Sequence, residues 1–308
     1  MHMMTSWHYQ ITVSDGQVGK TIKALFISWL IPQRIRGALR MKQHFRVNDH
    51  EVPTNYVLKT GDVLTLLFEN DDFRTSESHY LPNDKQQVAI VFENDDLVIV
   101  DKPAGMKMHP HSITETDTLL NYLAANFQMR QLLSASAQAK PYMVHRIDRE
   151  TSGLVIVAKN PVVVPILNRL LSEKKIKRTY LAWVTGAMGE RNGSINVPIG
   201  VDFLNDRKRW INGIDAQTAI THWTCIHTVY QNSLLRLQLE TGRMHQIRVH
   251  LASVGHPIIG DSLYGSQSEA TRMMLHSVSI ELPLPFDGGH KIITGALPVD
   301  FPRQLMID

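Results

Sequence analysis

The 308-residue sequence holds one cysteine, Cys225. A single thiol excludes an internal disulfide and any multi-cysteine metal site. It sits in THWTCIH, which has a strand's pattern, and is expected to be a buried, inert thiol. Aromatic residues make up only 7%, which argues against the sugar cleft of a glycoside hydrolase built on paired carboxylates. No apolar run approaches the roughly 20 residues that span a bilayer. MHMMTSWHY lacks the basic start and apolar core of a signal peptide. A cytoplasmic protein is expected.

Cofactor signatures are also missing. GQVGKT at 16–21 imitates a phosphate-binding loop, but Ser14 stands where that pattern needs its first glycine. No Gly-x-Gly-x-x-Gly opens a strand–helix unit, so no dinucleotide site is expected. Among fifteen histidines, His109 and His111 have no ligating acid or third histidine beside them. His245 and His250 are five apart, where one helical face would need four. The expectation is no metal, no nucleotide cofactor and no membrane partner. There is no internal repeat and no low-complexity tract.

What is present is charge placed unevenly. The net charge is only +3, a weak pointer to nucleic acid, so distribution matters more than the total. Between Gly16 and Asn48 there are seven Lys or Arg residues and no acid. Such one-sided charge suits a phosphate-facing surface. Apolar spacing predicts a helix over 17–30 with Ile22, Leu25, Phe26, Trp29 and Leu30 inward, and a second over 33–43 on Ile35 and Leu39. FRVNDHEV and GDVLTLLFEN have the pattern of short strands. The polar stretch 71–87 follows as a linker. A first unit over 10–70 and a second over 88–308 are therefore expected.

The second unit mixes strands (VAIVFE, DLVIVDK, TYLAWVTG, SLLRLQLETG) with helices (TLLNYLAANF, VVPILNRLLSEKK). They do not alternate regularly enough for a doubly wound sheet. The expected class is α+β, with a mixed, mostly antiparallel central sheet flanked by helices. In ETGRMHQIRVHLASVG, Met244, Ile247, Leu251 and Val254 form a buried stripe, and Gly255 ends the helix. Arg248 borders that stripe. An arginine half-buried there needs a carboxylate, and Asp148 is a candidate, with Arg243 at the helix start the competing choice of arginine.

Asp148 lies in HRIDRETSG, between Arg146 and Arg149. Neighbouring positive charge favours the ionised carboxylate, which can act as a nucleophile or a base. Tyr180 follows a basic run, Lys174, Lys175, Lys177 and Arg178.

These segments resemble the RluA-type pseudouridine synthases, which isomerise uridine in ribosomal or transfer RNA. The likeness covers about residues 88–302. It runs through ENDDLVIVDKPAGMKMHP, HRIDRETSGLVIVAKN, KRTYLAWVTG, TAITHW, LETGRMHQIRVHLASVGHPIIGDSLYG, RMMLHS and ALPVDFP, in the family's order. It implies a pseudouridine synthase fold, with Asp148 as the essential aspartate. Tyr180 would stack on the target base and Arg248 would ion-pair Asp148. Arg146 would act at the flipped-out nucleotide, and Arg149, Arg243, His245, Gln246, Lys102 and His109 would lie at the substrate. The first unit looks like the small α/β RNA-binding module of small-subunit ribosomal protein four, more loosely matched, with Arg34, Arg36, Arg40 and Lys42 facing RNA. The resemblance implies ribosomal or transfer RNA as partner, and a monomer is expected. A non-catalytic RNA binder on the same scaffold would lack the aspartate or the tyrosine, and both are here.

Overall fold

In the computed structural model, which describes residues 6–133, 139–265 and 270–301, the first unit opens with a strand, β1 (Ser6–Thr12). Helix α1 (Ile22–Ser28) starts later than its apolar spacing suggests. The reason is Thr21, whose hydroxyl accepts the Ala24 N–H and fixes the helix start. After it come α2 (Gln33–Met41), β2 (Phe45–Val47), β3 (His50–Glu51) and β4 (Val63–Glu69). The four strands form an antiparallel sheet in the order β1-β4-β2-β3. Leu64, Leu66 and Phe68 alternate along β4 and are buried, sharing a core with Ile22, Leu25, Phe26, Ile35 and Leu39.

The second unit contains β5 (Ala89–Glu93), β6 (Leu97–Lys102), α3 (Leu119–Leu133), β7 (Tyr142–Met143), β8 (Ser152–Ala158), α4 (Val164–Ser172) and β9 (Lys177–Thr185). It continues with β10 (Asn192–Asn196), β11 (Ile199–Val201), β12 (Arg209–Ile211), β13 (Ile214–Gln217), β14 (Ile220–Val229) and β15 (Asn232–Leu239). It closes with α5 (Gln246–Ser253), β16 (Leu275–Pro283) and β17 (His290–Thr294). The main sheet runs β10-β14-β15-β9-β16-β8-β6-β5, with β17 on β16 and β7 on β8. Among the described residues only β16 and β8 pair as parallel strands, so the sheet is mixed and mostly antiparallel, as the sequence implied. β11, β12 and β13 make a separate small sheet.

Every residue of β8 is buried, because both of its faces are covered. Leu154, Ile156 and Ala158 face the core shared with α4 and the first unit. Val155 and Val157 face the core that holds α3, Tyr180 and α5. The first unit thus sits on one side of the sheet, and Tyr180 and α5 gather on the other. Its seat is specific. Tyr9, Trp29 and Phe68 pack on Phe286 at ring-centroid distances of 4.7, 5.4 and 6.5 Å. Trp29 Nε1 and Gln17 Nε2 donate to Asp287 at 2.6 and 2.9 Å, and the Tyr9 hydroxyl donates to Asp96 at 2.6 Å.

Three expectations change. The first unit's core runs past residue 70: Phe73 is buried against Trp7 and Phe68, and buried Asp72 pairs with Lys42. Cys225 is half-buried rather than buried, with its thiol donating to the His227 carbonyl. Met244 and Val254 are 39% and 46% exposed, because His245 takes a left-handed conformation (φ 57°) and α5 begins only after it. Residues 302–308 of the expected second unit lie outside the described residues.

Candidate active site

Residues 145–151 of HRIDRETSG lie in the loop between β7 and β8, and Ser152 and Gly153 open β8. Its exit is set by Gly153, at φ +109°, where a Cβ would lie 2.2 Å from the Ser277 carbonyl oxygen. No other residue lets β8 run that close to β16. Its entry is set by His145, whose Nε2 accepts the Ile156 N–H at 3.0 Å. That bond fixes the neutral tautomer, and burial pulls the ring's pKa down to about 3, helped by the Arg178 charge. The Arg149 carbonyl accepts from the Gly105 N–H at 2.8 Å and from the Lys102 ammonium at 3.1 Å. These bonds hold the loop so that Asp148 faces a cavity.

That cavity is lined by Arg146, Ile147, Asp148, Thr151, Arg178 and Tyr180 on one side. Leu239, Gly242, Arg243, His245, Gln246, Ile247, Arg248 and Leu275 complete it. It measures about 50 Å³, far below the ~300 Å³ at which ligand pockets begin, so a nucleotide entering it has to displace side chains. Arg146, one of the lining residues, is exposed.

Asp148 makes its ion pair with Arg248, 100 positions away, at 3.2 Å. Among the described residues it makes none with Arg146 or Arg149, the neighbours that drew attention to it. Arg149 is exposed and turns its Nε to the Gly105 carbonyl. Arg248 is fully buried rather than half-buried, at 3%. Its principal partner is Asp261, reached by two bonds of 2.8 Å. Burial works against the charged guanidinium, but Asp261 and Asp148 more than offset it and hold Arg248 protonated. Its carbon lies 5.2 Å from the centre of the Tyr264 ring. Arg243 makes no bond to Asp148 among the described residues; its Nε donates to the Thr218 carbonyl.

Tyr180 lies on β9 and is buried, at 4%. Burial raises the phenol's pKa, with the Asp148 charge adding to it and Arg178 opposing, so the hydroxyl is protonated at neutral pH. His245 bonds the Tyr264 hydroxyl at 2.9 Å, and that hydroxyl also accepts the Arg209 N–H at 2.7 Å. Tyr264 thereby links the site to the basic loop 202–210, whose Phe203 and Leu204 are exposed.

Other residues expected at the substrate do structural work. Lys102 is fully buried and donates to the carbonyls of Pro103, Met106 and Arg149. Burial lowers its pKa to about 7. It braces the loop and does not line the cavity. Gln246 does line it, but spends its amide on Ile220, Thr221, Thr241 and Arg243, clasping the turn before α5. His109 is half-buried beside His111 and outside the cavity. In the first unit Lys42 is engaged by Glu69 and Asp72, and Arg34 by the Asp71 carbonyl. Arg40 is exposed and Arg36 half-buried. The acids that engage them lie beyond the window that looked purely basic. Among the described residues no cluster of three or more His, Cys, Asp or Glu could hold a metal. Nor is any helix long and apolar enough to cross a membrane.

Asp261 and Tyr264 were not singled out as site residues from the sequence. Both lie in GDSLYG, and the signal for Asp261 was the buried arginine's need for a carboxylate.

Residues 96–253 match the family described as RNA pseudouridylate synthase, and residues 9–64 match the RluD ribosomal pseudouridine synthase N-terminal domain. The ribosomal large subunit pseudouridine synthase D of Nitrosomonas europaea is 37% identical over 96% of this chain and 86% of its own length. An uncharacterised RNA pseudouridine synthase of Bacillus subtilis is 36% identical over 84% of this chain and 83% of its own. Among solved structures, human RNA pseudouridylate synthase domain containing 1 superposes with a TM-score of 0.59 at 26% identity. That likeness covers 73% of this chain and 88% of the human one.

Proposed function

The chain belongs to the RNA pseudouridylate synthase family, and on that premise we propose that Asp148 carries the conversion of a uridine in large-subunit ribosomal RNA to pseudouridine. One observation supports this role above the rest. Asp148 is a carboxylate 17% exposed at the wall of a cavity, held by a buried arginine and sharing that cavity with Tyr180. The ribosomal substrate is favoured by the name of the Nitrosomonas relative, which aligns with nearly the whole chain, first unit included. The chain acts on RNA in the cytoplasm as a monomer.

In the reaction the bond from uracil N1 to ribose C1′ breaks and one from C5 to C1′ forms. The C5 proton leaves and one proton is taken up at N1. The balance needs no oxidant, reductant or group donor. A stacked uridine is out of reach, so the nucleotide must turn out of its helix at a cost of a few kcal/mol. Tyr180 returns part of this by stacking on the base, which contributes roughly 1–3 kcal/mol. Ionised Asp148 then acts at the sugar or the base, kept in position by Arg248.

The test is tritium release from transcripts labelled at uracil C5. Large-subunit ribosomal RNA is expected to release it and transfer RNA is not. Asp148→Asn and Asp148→Ala are expected to abolish release while leaving fold and RNA affinity close to normal. Near-normal turnover by either variant removes the role assigned to Asp148, and release from transfer RNA alone removes the ribosomal substrate.

A further inference from the structure

Arg178 is a charged side chain in the cavity that the scheme above leaves unused. It lies two residues before Tyr180 on β9, and residues two apart in a strand point to the same face. Both line the cavity with Asp148. The basic residues around Arg178 are satisfied: Lys174 pairs with Glu240, Lys175 with Glu173 and Lys177 with Glu281. Among the described residues the Arg178 side chain has no ion pair and no hydrogen bond, and its Nε is buried without a partner.

Among the described residues the cavity lining holds no free counter-charge. His145 is neutral, kept so by burial and by Arg178 itself. Asp148 is committed to Arg248. On the remaining side lies Gly242, where a Cβ would stand 3.4 and 3.6 Å from the two terminal nitrogens of Arg178. The glycine brings no side-chain acceptor and no charge. Arg178 is half-buried, and a guanidinium whose Nε is buried without a partner costs stability, so its place beside Asp148 and Tyr180 calls for an anion that arrives with the ligand.

Resting on the reading of the chain as a uridine isomerase, we propose that Arg178 binds a phosphodiester oxygen next to the target nucleotide. The planar fork of an arginine matches phosphate oxygens two at a time. From β9, a rigid strand in mid-sheet, it fixes the backbone of the nucleotide whose base meets Tyr180 two residues on. Phosphate is the anion an RNA brings wherever it enters. A uracil carbonyl would satisfy the same nitrogens without displacing counterions, and this separates the two.

The experiment uses the full chain and a large-subunit ribosomal RNA transcript labelled with tritium at uracil C5. Arg178→Gln is expected to raise KM at least tenfold and to lower the slope of log affinity against log salt by about 1. Arg178→Lys is expected to restore the slope but only part of the KM. Arg178→Met, which deletes a charge that has no partner in the free protein, is expected to melt no lower than the parent. An Arg178→Gln chain with the parent's KM and salt slope overturns the proposal. So does an Arg178→Met chain that melts well below the parent while keeping its KM, since that marks a packing post. If the unchanged chain releases no tritium from any RNA, the isomerase reading falls and takes this assignment with it.

Discussion

Arg248 gives Asp261 two hydrogen bonds of 2.8 Å and gives Asp148 one of 3.2 Å. The inequality divides the labour between two carboxylates. The Asp261 side chain is fully buried, and its Oδ1 also accepts the N–H groups of Leu263 and Tyr264, so it is immobile. Two parallel bonds to an immobile partner fix the plane of a guanidinium. The remaining nitrogen, Nη1, is then aimed at Asp148. Asp261 neutralises the buried charge, and Asp148 receives orientation while keeping acceptor capacity for a substrate.

Removing Asp261 therefore harms both fold and site. Asp261→Ala is expected to lower stability by about 3 kcal/mol or more, the range for a broken buried pair. Its kcat is expected to fall more than its KM rises, because Arg248 no longer holds one orientation. Urea unfolding and tritium-release kinetics read the two effects. A variant as stable and as fast as the parent would show that Asp148 alone suffices to anchor Arg248.

Tyr180 separates ring from hydroxyl. Tyr180→Leu loses the aromatic face and is expected to lose roughly 5- to 150-fold in kcat/KM, the counterpart of ~1–3 kcal/mol of stacking. Tyr180→Phe keeps the face, so its RNA affinity is expected to stay near the parent's. Any fall in its kcat then measures what the protonated hydroxyl contributes. If both variants keep full kcat/KM, Tyr180 is core packing and no more.

Acid sensitivity follows from a buried histidine. His276 is fully buried with its Nδ1 on the Ser152 hydroxyl at 2.9 Å, and burial lowers its pKa to about 4. In the unfolded chain the value is about 6.5. Between those values the unfolded state binds more protons, so stability falls as pH falls. The loss is about 2 kcal/mol at pH 5 relative to pH 7, and His145 adds in the same direction. Urea unfolding of the parent and of His276→Gln at the two pH values isolates the share. An imidazole resonance of His276 titrating near 6.5 would refute it.

Asp287 is where the first unit is latched. Asp287→Ala strands the indole N–H of Trp29 and the amide of Gln17. Each orphaned donor costs about 1–3 kcal/mol if it stays dry, so the first unit is expected to loosen. The variant should show red-shifted tryptophan emission and faster proteolysis between residues 74 and 87. An unchanged cleavage rate would mean that the aromatic contacts with Phe286 hold the unit without the latch.

What the sequence disclosed depended on how local the cause was. β4 and β8 were legible because strand alternation and an unbroken apolar run are properties of neighbours in the chain. The α5 stripe was misjudged at Met244 and Val254. That helix is covered on all sides, and Gln246, Arg248 and His250 are buried with partners, so amphipathic spacing could not mark its ends. At the site, Asp148 stood out from its arginine neighbours, although its ion-pair partner is Arg248. The substrate list mixed two kinds of residue. Lys102 and Gln246 belong to the same motifs as Asp148, but backbone carbonyls and neighbouring side chains consume their donors. Motif membership cannot tell a group that meets ligand from one that braces the loop. Arg178 was passed over for the opposite reason, since its lack of a partner exists only in three dimensions.

The seat on Phe286 and Asp287 also sets an order of events during synthesis. The first unit is made before the second, and its own core can close once Phe73 has followed β4. Its anchoring aromatic and carboxylate are translated more than 200 residues after it. Domains generally fold as units as they emerge. On a growing chain this unit must therefore wait, folded but unlatched, until Phe286 and Asp287 have emerged. The strand β16 that completes the cavity wall at Leu275 and the mount at Phe286 and Asp287 are made together.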